Sequence, residues 1–176
     1  QSYAPAIYDR SGSMIKDEGD PTDSSPPADF ETITKAVLHL ESAVTGADGI
    51  EGVVLRYGNF YGPGTSIAVN PDGVQIAAVR SRKFPIAGDG GAVWSFIHVE
   101  DAAEATVLAV EGGAPGIYNV VDDNPAPVRE WVPKVAAAIG AKLGLGDGAA
   151  SGADIQAMTD DELKAKLPHL HVFGRV

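Results

Sequence analysis

The residues with the clearest chemical potential lie at 53–64, VVLRYGNFYGPG, where an apolar run stops at an arginine. Arg56, Tyr57 and Asn59 place a cation, a phenol and an amide close together, and Gly58 permits a tight turn among them. Open α/β sheets build ligand sites by delivering polar groups to the end of a buried strand. An ordinary strand followed by a Gly-Pro turn would give the same residues, so the interpretation depends on the rest of the chain.

Metal and thiol chemistry find little support in the composition. The chain has no cysteine, which excludes disulfides and thiolate ligands and fits a reducing compartment such as the cytoplasm. Its four histidines form no metal-ligand pattern, because His169 and His171 stand in an apolar tail without carboxylates beside them. We therefore predict no metal site.

Charge and hydropathy restrict the partners. The 176 residues carry a formal net charge of −11 without any Lys/Arg-rich cluster, so nucleic acid is not an expected partner. No window approaches the roughly 18 apolar residues of a membrane span, and no signal peptide opens the chain. We expect no membrane partner and a cytoplasmic location. Because the chain begins with Gln1, we also expect a processed or truncated polypeptide.

Periodicity predicts alternating helices and strands. Residues 9–29, rich in Asp, Ser, Pro and Gly, predict a long surface loop. A helix follows, with Asp29 as its N-cap and an apolar face formed by Phe30, Ile33, Val37, Leu40 and Val44. Strands are predicted at 52–57, 84–88, 94–99 and 116–121, and further helices at 72–83, 100–111 and 127–140.

This order indicates an α/β domain with at least part of a parallel sheet. The domain covers residues 1–140, and Pro133 should kink or shorten the last helix. Residues 141–176 are interpreted as a linker and a short amphipathic helix, MTDDELKAKL, outside the main domain.

Three segments in this order resemble the C-terminal half of an extended short-chain dehydrogenase, of the NAD-dependent epimerase/dehydratase family. They are VVLRYGNFYGPG, GDGGAVWSFIHVEDAAEATVLAVE at 88–111 and GIYNVVDDNPAPVREWVPKVAAAIG at 116–140. The resemblance implies part of a Rossmann-like doubly wound parallel sheet with a small C-terminal substrate-binding region. It also implies hydride transfer between NAD or NADP and a sugar-like or other carbonyl or alcohol substrate.

The resemblance also implies roles for individual residues. In such enzymes a serine orients the substrate, and a lysine four residues after a catalytic tyrosine lowers the pKa of that tyrosine. Ser2 and Lys35 are the matching catalytic candidates, while Tyr3 and Tyr8 are phenols in the adjoining segment. Tyr57 and Gly58 are the implied cofactor-binding residues, and Asn59, Arg56 and Trp94 the implied substrate-binding residues.

The sequence departs from the family pattern at the catalytic helix. Glu31 stands four residues before Lys35, and a register set by Glu41 instead puts Ile33 at the tyrosine position. Neither register gives Tyr-x-x-x-Lys.

The sequence also departs from the family's cofactor-binding and substrate-binding motifs. The Gly-rich dinucleotide fingerprint is absent, so the chain is expected to begin after the cofactor-binding half. Trp94 stands where sugar-nucleotide members carry an arginine, which predicts a neutral, less polar substrate stacked on the indole. Packing of Trp94 in the core, and pairing of Arg56 with Asp101 or another carboxylate, are the structural alternatives.

The sequence is compatible with two functions. The first is an NAD(P)-dependent epimerase, dehydratase or reductase, and the second is a non-catalytic binding or regulatory protein with the same fold. If a cofactor-binding half is missing, one sheet edge is uncovered, and self-association into a homo-oligomer is expected.

Overall fold

The computed structural model describes residues 2–3, 7–69 and 72–141. The predicted alternation of helices and strands is confirmed, and the chain is an α/β protein. The predicted linker and tail helix beyond Ala141 lie outside the described residues. In chain order the elements are β1 (Ser2–Tyr3), α1 (Ala28–Thr45), β2 (Val53–Tyr57), β3 (Asn59–Tyr61), α2 (Val74–Arg80), β4 (Val93–Trp94), β5 (Phe96–His98), α3 (Val99–Gly112), β6 (Gly116–Val120), β7 (Ala126–Pro127) and α4 (Val128–Ala138).

The main sheet has three parallel strands in the order β1-β2-β6. Its register pairs Ser2 with Arg56 and Arg56 with Asn119, so these three residues form one row across the sheet. The predicted parallel strands at 52–57 and 116–121 are thereby confirmed. Because the carboxyl ends of parallel strands meet at one edge, the loops that follow β1, β2 and β6 converge there.

Two small strand pairs continue from this edge. β3 pairs in parallel with β5, and β4 pairs antiparallel with β7. Strand β3 was not predicted from the sequence, and the single strand predicted at 94–99 is divided at Ser95. The strand predicted at 84–88 is absent, since Pro85 cannot donate to a ladder and Phe84 packs into an aromatic cluster instead.

Helix α1 forms where the periodicity predicted it, but the predicted apolar face is not the buried one. Phe30, Ile33 and Leu40 are 47%, 49% and 42% exposed, whereas Thr34 and Glu41 are buried. The spacing of apolar residues identified the helix, but the ion pair of Glu41 described below determines which face meets the sheet. The cap prediction was also wrong, because α1 begins at Ala28 after Pro27 and has no side-chain cap.

The larger core packs α2 and α4 against β3 and β5. Helix α4 runs through Pro133 to Ala138, so the proline does not stop it. Within the described ranges, no helix is both long and apolar enough to cross a membrane. The main members of this core are Tyr61, Ile67, Ile76, Val79, Phe96, Val128, Trp131, Val132 and Val135.

Candidate functional site

A pocket of about 520 Å³ opens at the carboxyl end of β6. The loop after β1 forms one wall, and the segments around β4 and after β6 form the other. Several side chains that can hydrogen-bond therefore face the same space as apolar ones. The lining residues are Tyr8, Asp9, Arg10, Ser13, Met14, Ile15, Lys16, Val93, Ser95, Asn119, Val121, Asp122, Asp123 and Pro125.

One wall of the pocket is supported by a chain of hydrogen bonds from α1. Arg56 donates from Nε and Nη2 to the two carboxylate oxygens of Glu41, at 2.9 and 2.7 Å, and both side chains are 4% exposed. Its Nη1 donates to the Tyr8 hydroxyl at 2.6 Å, and Tyr8 donates to Oδ1 of Asn119 at 2.8 Å. A buried ion pair thus fixes a phenol and an amide that line the pocket.

The electrostatics of this chain keep Tyr8 neutral. Burial raises the pKa of its phenol, although the hydrogen bonds to Asn119 and Arg56 act in the opposite direction. Burial opposes the charge of Arg56, but the hydrogen bonds with Glu41 and Tyr8 raise the net pKa of the guanidinium. The Arg56 guanidinium also lies 5.1 Å from the centre of the Tyr8 ring, within range of a cation–π contact.

The long loop predicted at 9–29 is confirmed as far as α1, and it is attached to the sheet. Glu18 accepts a hydrogen bond from the Asn119 backbone N–H at 2.6 Å. Closer to β1, Asp9 N–H donates to Pro21 O and Asp23 N–H donates to Ile7 O. These bonds hold the base of the loop, so residues 9–16 lie over the pocket.

Asn59 and Gly58 position the opposite wall. Asn59 donates from its backbone N–H and from Nδ2 to Ser95 O, at 2.8 and 3.1 Å. A Cβ on Gly58 would lie 2.9 Å from that same carbonyl oxygen and 3.1 Å from Val121 Cγ1, which explains the glycine. Ser95 and Val121 line the pocket, and Asn59 and Gly58 hold them in place.

Tyr57 is directed away from the pocket. Its side chain is buried, and its hydroxyl shares a hydrogen bond with Thr106 Oγ1 and reaches Ala102 O on α3. The structure therefore places this predicted cofactor-binding residue between the sheet and α3.

Trp94 belongs to an aromatic cluster behind the pocket wall. Its ring centre lies 5.2 Å from that of Trp131 and 6.2 Å from those of Phe84 and Phe96. Val93 and Ser95 line the pocket on either side, as alternation along a strand requires. The position fits the alternative of core packing rather than stacking on a ligand.

The two predicted catalytic residues are placed differently. Lys35 is 74% exposed and pairs with Glu31 one turn earlier, so the structure does not bring it to the pocket. For Ser2 the structure gives the backbone register, beside Arg56. The catalytic roles of Ser2 and Lys35 stay predictions.

Asp122 is a pocket residue that the sequence analysis did not select. It follows β6, is 4% exposed and lines the cavity. Burial, with a contribution from the charge of Asp123, raises the pKa of its carboxyl to about 6, although a hydrogen bond from Asn124 N–H lowers it. Its position directly after a predicted strand, where ligand sites form, was the available signal.

The junction between β5 and α3 is held by a buried histidine. His98 is buried and caps α3 by accepting a hydrogen bond from Glu100 N–H at its Nδ1. Gly62, at φ +102°, lies against this imidazole, where a Cβ would approach Nε2 to 2.5 Å. Over the described ranges, no group of three His, Cys, Asp or Glu side chains could hold a metal ion.

The parallel sheet and the pocket at its carboxyl edge define a Rossmann-type α/β protein. The family model of the NAD-dependent epimerase/dehydratase family matches residues 6–120, and the chain belongs to this family. The resemblance proposed from the sequence motifs is confirmed.

A curated relative is the 3-diazoavenalumate denitrifying reductase of a Streptomyces species. The two are 39% identical over 137 residues, which cover 78% of this chain and 42% of that protein. This chain therefore corresponds to less than half of that relative's length.

Solved structures share the fold. UDP-glucose 4-epimerase from Thermus thermophilus, in complex with NAD, is 30% identical with a TM-score of 0.57, covering 81% of this chain and 48% of that one. A DesIV double mutant (dTDP-glucose 4,6-dehydratase) from Streptomyces venezuelae, with NAD and DAU bound, is 21% identical with a TM-score of 0.61, covering 94% and 52%. RMD from Pseudomonas aeruginosa, complexed with NADPH, is 21% identical with a TM-score of 0.54, covering 81% and 51%. The chain thus spans about half the length of these proteins.

Proposed function

We propose that this chain forms the substrate-binding part of an NAD(P)-dependent oxidoreductase whose substrate is a small carbonyl or alcohol compound. The observation that carries the proposal is the chain of hydrogen bonds from Glu41 through Arg56 and Tyr8 to Asn119. It fixes a neutral phenol and an amide in the wall of a pocket at the carboxyl edge of a parallel sheet. Ligand sites form at this edge in open α/β proteins.

The comparisons favour reduction over isomerisation. The relative at 39% identity is named as a reductase, whereas the epimerases and dehydratases cited above share 30% identity or less. Epimerase or dehydratase activity is the second possibility within the same family. The titles of the solved structures name NAD in some cases and NADPH in another, so both NAD and NADP remain open as the cofactor.

The described residues do not by themselves fit a nicotinamide dinucleotide. The Tyr57 phenol faces α3, and Gly58 is enclosed between Ser95 and Val121, so neither predicted cofactor residue offers an open surface. We therefore assign this part of the chain to the substrate. The cofactor would be held by other parts of the full encoded protein.

The chemistry that these residues can supply is binding and proton exchange. The Tyr8 hydroxyl accepts from Arg56 and donates to Asn119, which leaves one lone pair free to accept a hydrogen bond from a substrate. Its raised pKa makes it a neutral phenol at neutral pH, so it orients rather than deprotonates. Asp122 is the pocket group with a pKa suited to exchanging a proton near neutrality.

The alternative is a non-catalytic binding protein, and one observation favours it. Lys35 is exposed and pairs with Glu31, and Glu41, whose register would put Ile33 at the family's tyrosine position, is buried against Arg56. In this reading the pocket binds a ligand, and no hydride is transferred.

Calorimetric titration of the full encoded protein with NADH and with NADPH separates the two functions. The proposal predicts saturable binding of one of them. It also predicts loss of reduced-cofactor absorbance with a member of a panel of aromatic diazo compounds, aldehydes and ketones. Absence of binding of both cofactors would reject the enzyme in favour of the binding protein. Ser2→Ala and Lys35→Ala in the same assay test the two catalytic predictions.

The remaining properties are proposals as well. We expect a neutral small-molecule substrate and a cytoplasmic location, since the chain has a net charge of −11 without a Lys/Arg-rich cluster and has no cysteine. We expect self-association if one edge of the sheet is uncovered. The exposed apolar stripe of Phe30, Ile33 and Leu40 on α1 adds a surface that self-association would cover.

A further inference from the structure

The carboxyl group of Asp122 is buried beside the pocket, and few hydrogen-bond donors reach it. Among the residues that the structure describes, its hydrogen-bond partner is Asn124 N–H, at 3.2 Å to Oδ1. Its backbone is fixed, since Asp122 N–H donates to Phe96 O at 2.7 Å. A buried carboxylate with one long hydrogen bond is unfavourable unless a further donor reaches it. The pocket is the side from which such a donor can come.

The charged and titratable groups around Asp122 come from three parts of the fold. Asp123 adjoins it in the chain, and Tyr61 on β3 is close enough for the Asp122 charge to contribute to raising the phenol pKa to about 12, mainly a result of burial. The loop over the pocket contributes Tyr8 together with Asp9, Arg10 and Lys16. The Lys16 ammonium is held by Ser11 O at 2.7 Å, and Arg10 lies 3.9 Å from Asp23.

The rest of the lining is apolar and partly uncovered. Met14 and Ile15 are 64% and 71% exposed although they line the pocket, and Val93 and Val121 face them from the other wall. A ligand with an apolar ring would remove this surface from water, which is favourable by roughly 25 cal/mol per Å².

We propose that the pocket binds an uncharged ring compound whose hydroxyl group donates a hydrogen bond to the carboxylate of Asp122. The ring contacts Met14, Ile15, Val93 and Val121, and the Tyr8 hydroxyl accepts from any second donor. This inference names the substrate class of the proposed function and uses the same pocket, but it requires no cofactor.

The proposal predicts proton-linked binding. The hydroxyl is recognised by the ionised carboxyl, so the ligand binds less well as Asp122 becomes protonated below its pKa of about 6. Between pH 8 and pH 5 the ionised fraction of such a group falls about tenfold, and affinity should fall by about the same factor. Near pH 6, binding should release a fraction of a proton.

The test is calorimetry of the full encoded protein with 4-hydroxyphenylacetamide and with its methyl ether, 4-methoxyphenylacetamide. The two probes differ in one hydrogen-bond donor, and neither changes charge between pH 5 and 8. Asp122→Asn is the isosteric variant without a titrating group, and Asp48→Asn is the matched control at an exposed carboxyl outside the pocket lining. Titration in two buffers of different ionisation enthalpy measures proton release by the wild type without any substitution.

The expected result is tighter binding of the phenol than of the ether, with about tenfold loss from pH 8 to pH 5 and proton release near pH 6. Asp122→Asn should abolish the pH dependence, and Asp48→Asn should retain it. Equal binding of both probes, pH-independent binding by the wild type, or loss of the pH dependence in Asp48→Asn would overturn the inference. The calorimetric test contains no cofactor. If NAD(H) and NADP(H) fail to bind, the oxidoreductase is therefore rejected, while the result for the hydroxyl-bearing ligand still stands.

Discussion

Glu41 and Arg56 are joined by two parallel hydrogen bonds, at 2.9 and 2.7 Å, in an environment where each side chain is 4% exposed. Helix α1 and strand β2 are thereby locked in one register. The same guanidinium supports Tyr8 at the pocket, so one buried ion pair connects the packing of the helix to the geometry of the site. Such a pair gives little net stability compared with apolar packing, but losing one partner is costly.

Glu41→Gln should destabilise the protein by about 3 kcal/mol or more, because it leaves the buried Arg56 charge without its counter-ion. Urea unfolding of wild type and variant measures the difference. Glu31→Gln is the matched control, since it removes an exposed carboxylate from the same helix and should leave the midpoint unchanged. Equal effects of the two substitutions would contradict the role given to the buried pair.

Tyr8→Phe should cost on the order of 1–3 kcal/mol of folding free energy and should weaken ligand binding. The substitution removes the acceptor of Arg56 Nη1 and the donor to Asn119 Oδ1. Tyr118→Phe is the control, because its hydroxyl donates to Ala114 O at the surface. A Tyr8→Phe protein with unchanged stability and unchanged ligand affinity would show that the hydroxyl plays no part in the site.

Alanine substitutions at Trp94 and Val93 should separate effects on packing from effects on ligand binding. Trp94→Ala should lower stability by about 2–3 kcal/mol, since it opens a cavity beside Trp131 and Phe84, and should leave the affinity for 4-hydroxyphenylacetamide nearly unchanged. Val93→Ala removes pocket lining and should weaken that probe with a smaller loss of stability. The reverse pattern would restore Trp94 as a ligand-stacking residue.

Asp122 should make folding stability fall as the pH rises through the acid range. Its folded pKa of about 6 exceeds its unfolded value of 3.8, so the folded protein binds more protons between these values. The ionised form should therefore cost roughly 3 kcal/mol above pH 6. Free energies of unfolding at pH 4.5 and pH 7 should show about 2 kcal/mol of this loss in wild type relative to Asp122→Asn, since the unfolded carboxyl is already mostly ionised at pH 4.5. Identical pH dependence in the two proteins would refute it.

Sequence periodicity predicted the helices and the parallel strands because local apolar spacing reports directly on secondary structure. The position of Phe30 and Ile33 on the exposed side of α1 could not be predicted, since it depends on a pairing between residues far apart in the chain. Strand β3 was missed for a similar reason, because its partner β5 lies beyond α2 and β4.

The sequence predicted a ligand site at the end of β2, and the structure shows a pocket at the carboxyl end of β6 in the same sheet. Arg56 and Asn59 were predicted to bind substrate, and in the structure they hold Tyr8 and Ser95 in place, so their substrate-binding roles stay predictions. Asp122 carries no recognisable motif, and its chemistry comes from burial, which the sequence does not reveal.

The most direct test of the account is transfer of deuterium from cofactor to product. The full encoded protein would be incubated with NADH or NADPH deuterated at the hydride-donating position and with carbonyl or diazo compounds that the wild-type pocket binds. Mass spectrometry of the product should show one deuterium, with a lower yield from Tyr8→Phe and a normal yield from Tyr118→Phe. Saturable ligand binding in this pocket without deuterium in any product, with either cofactor, would contradict the account and identify a binding protein.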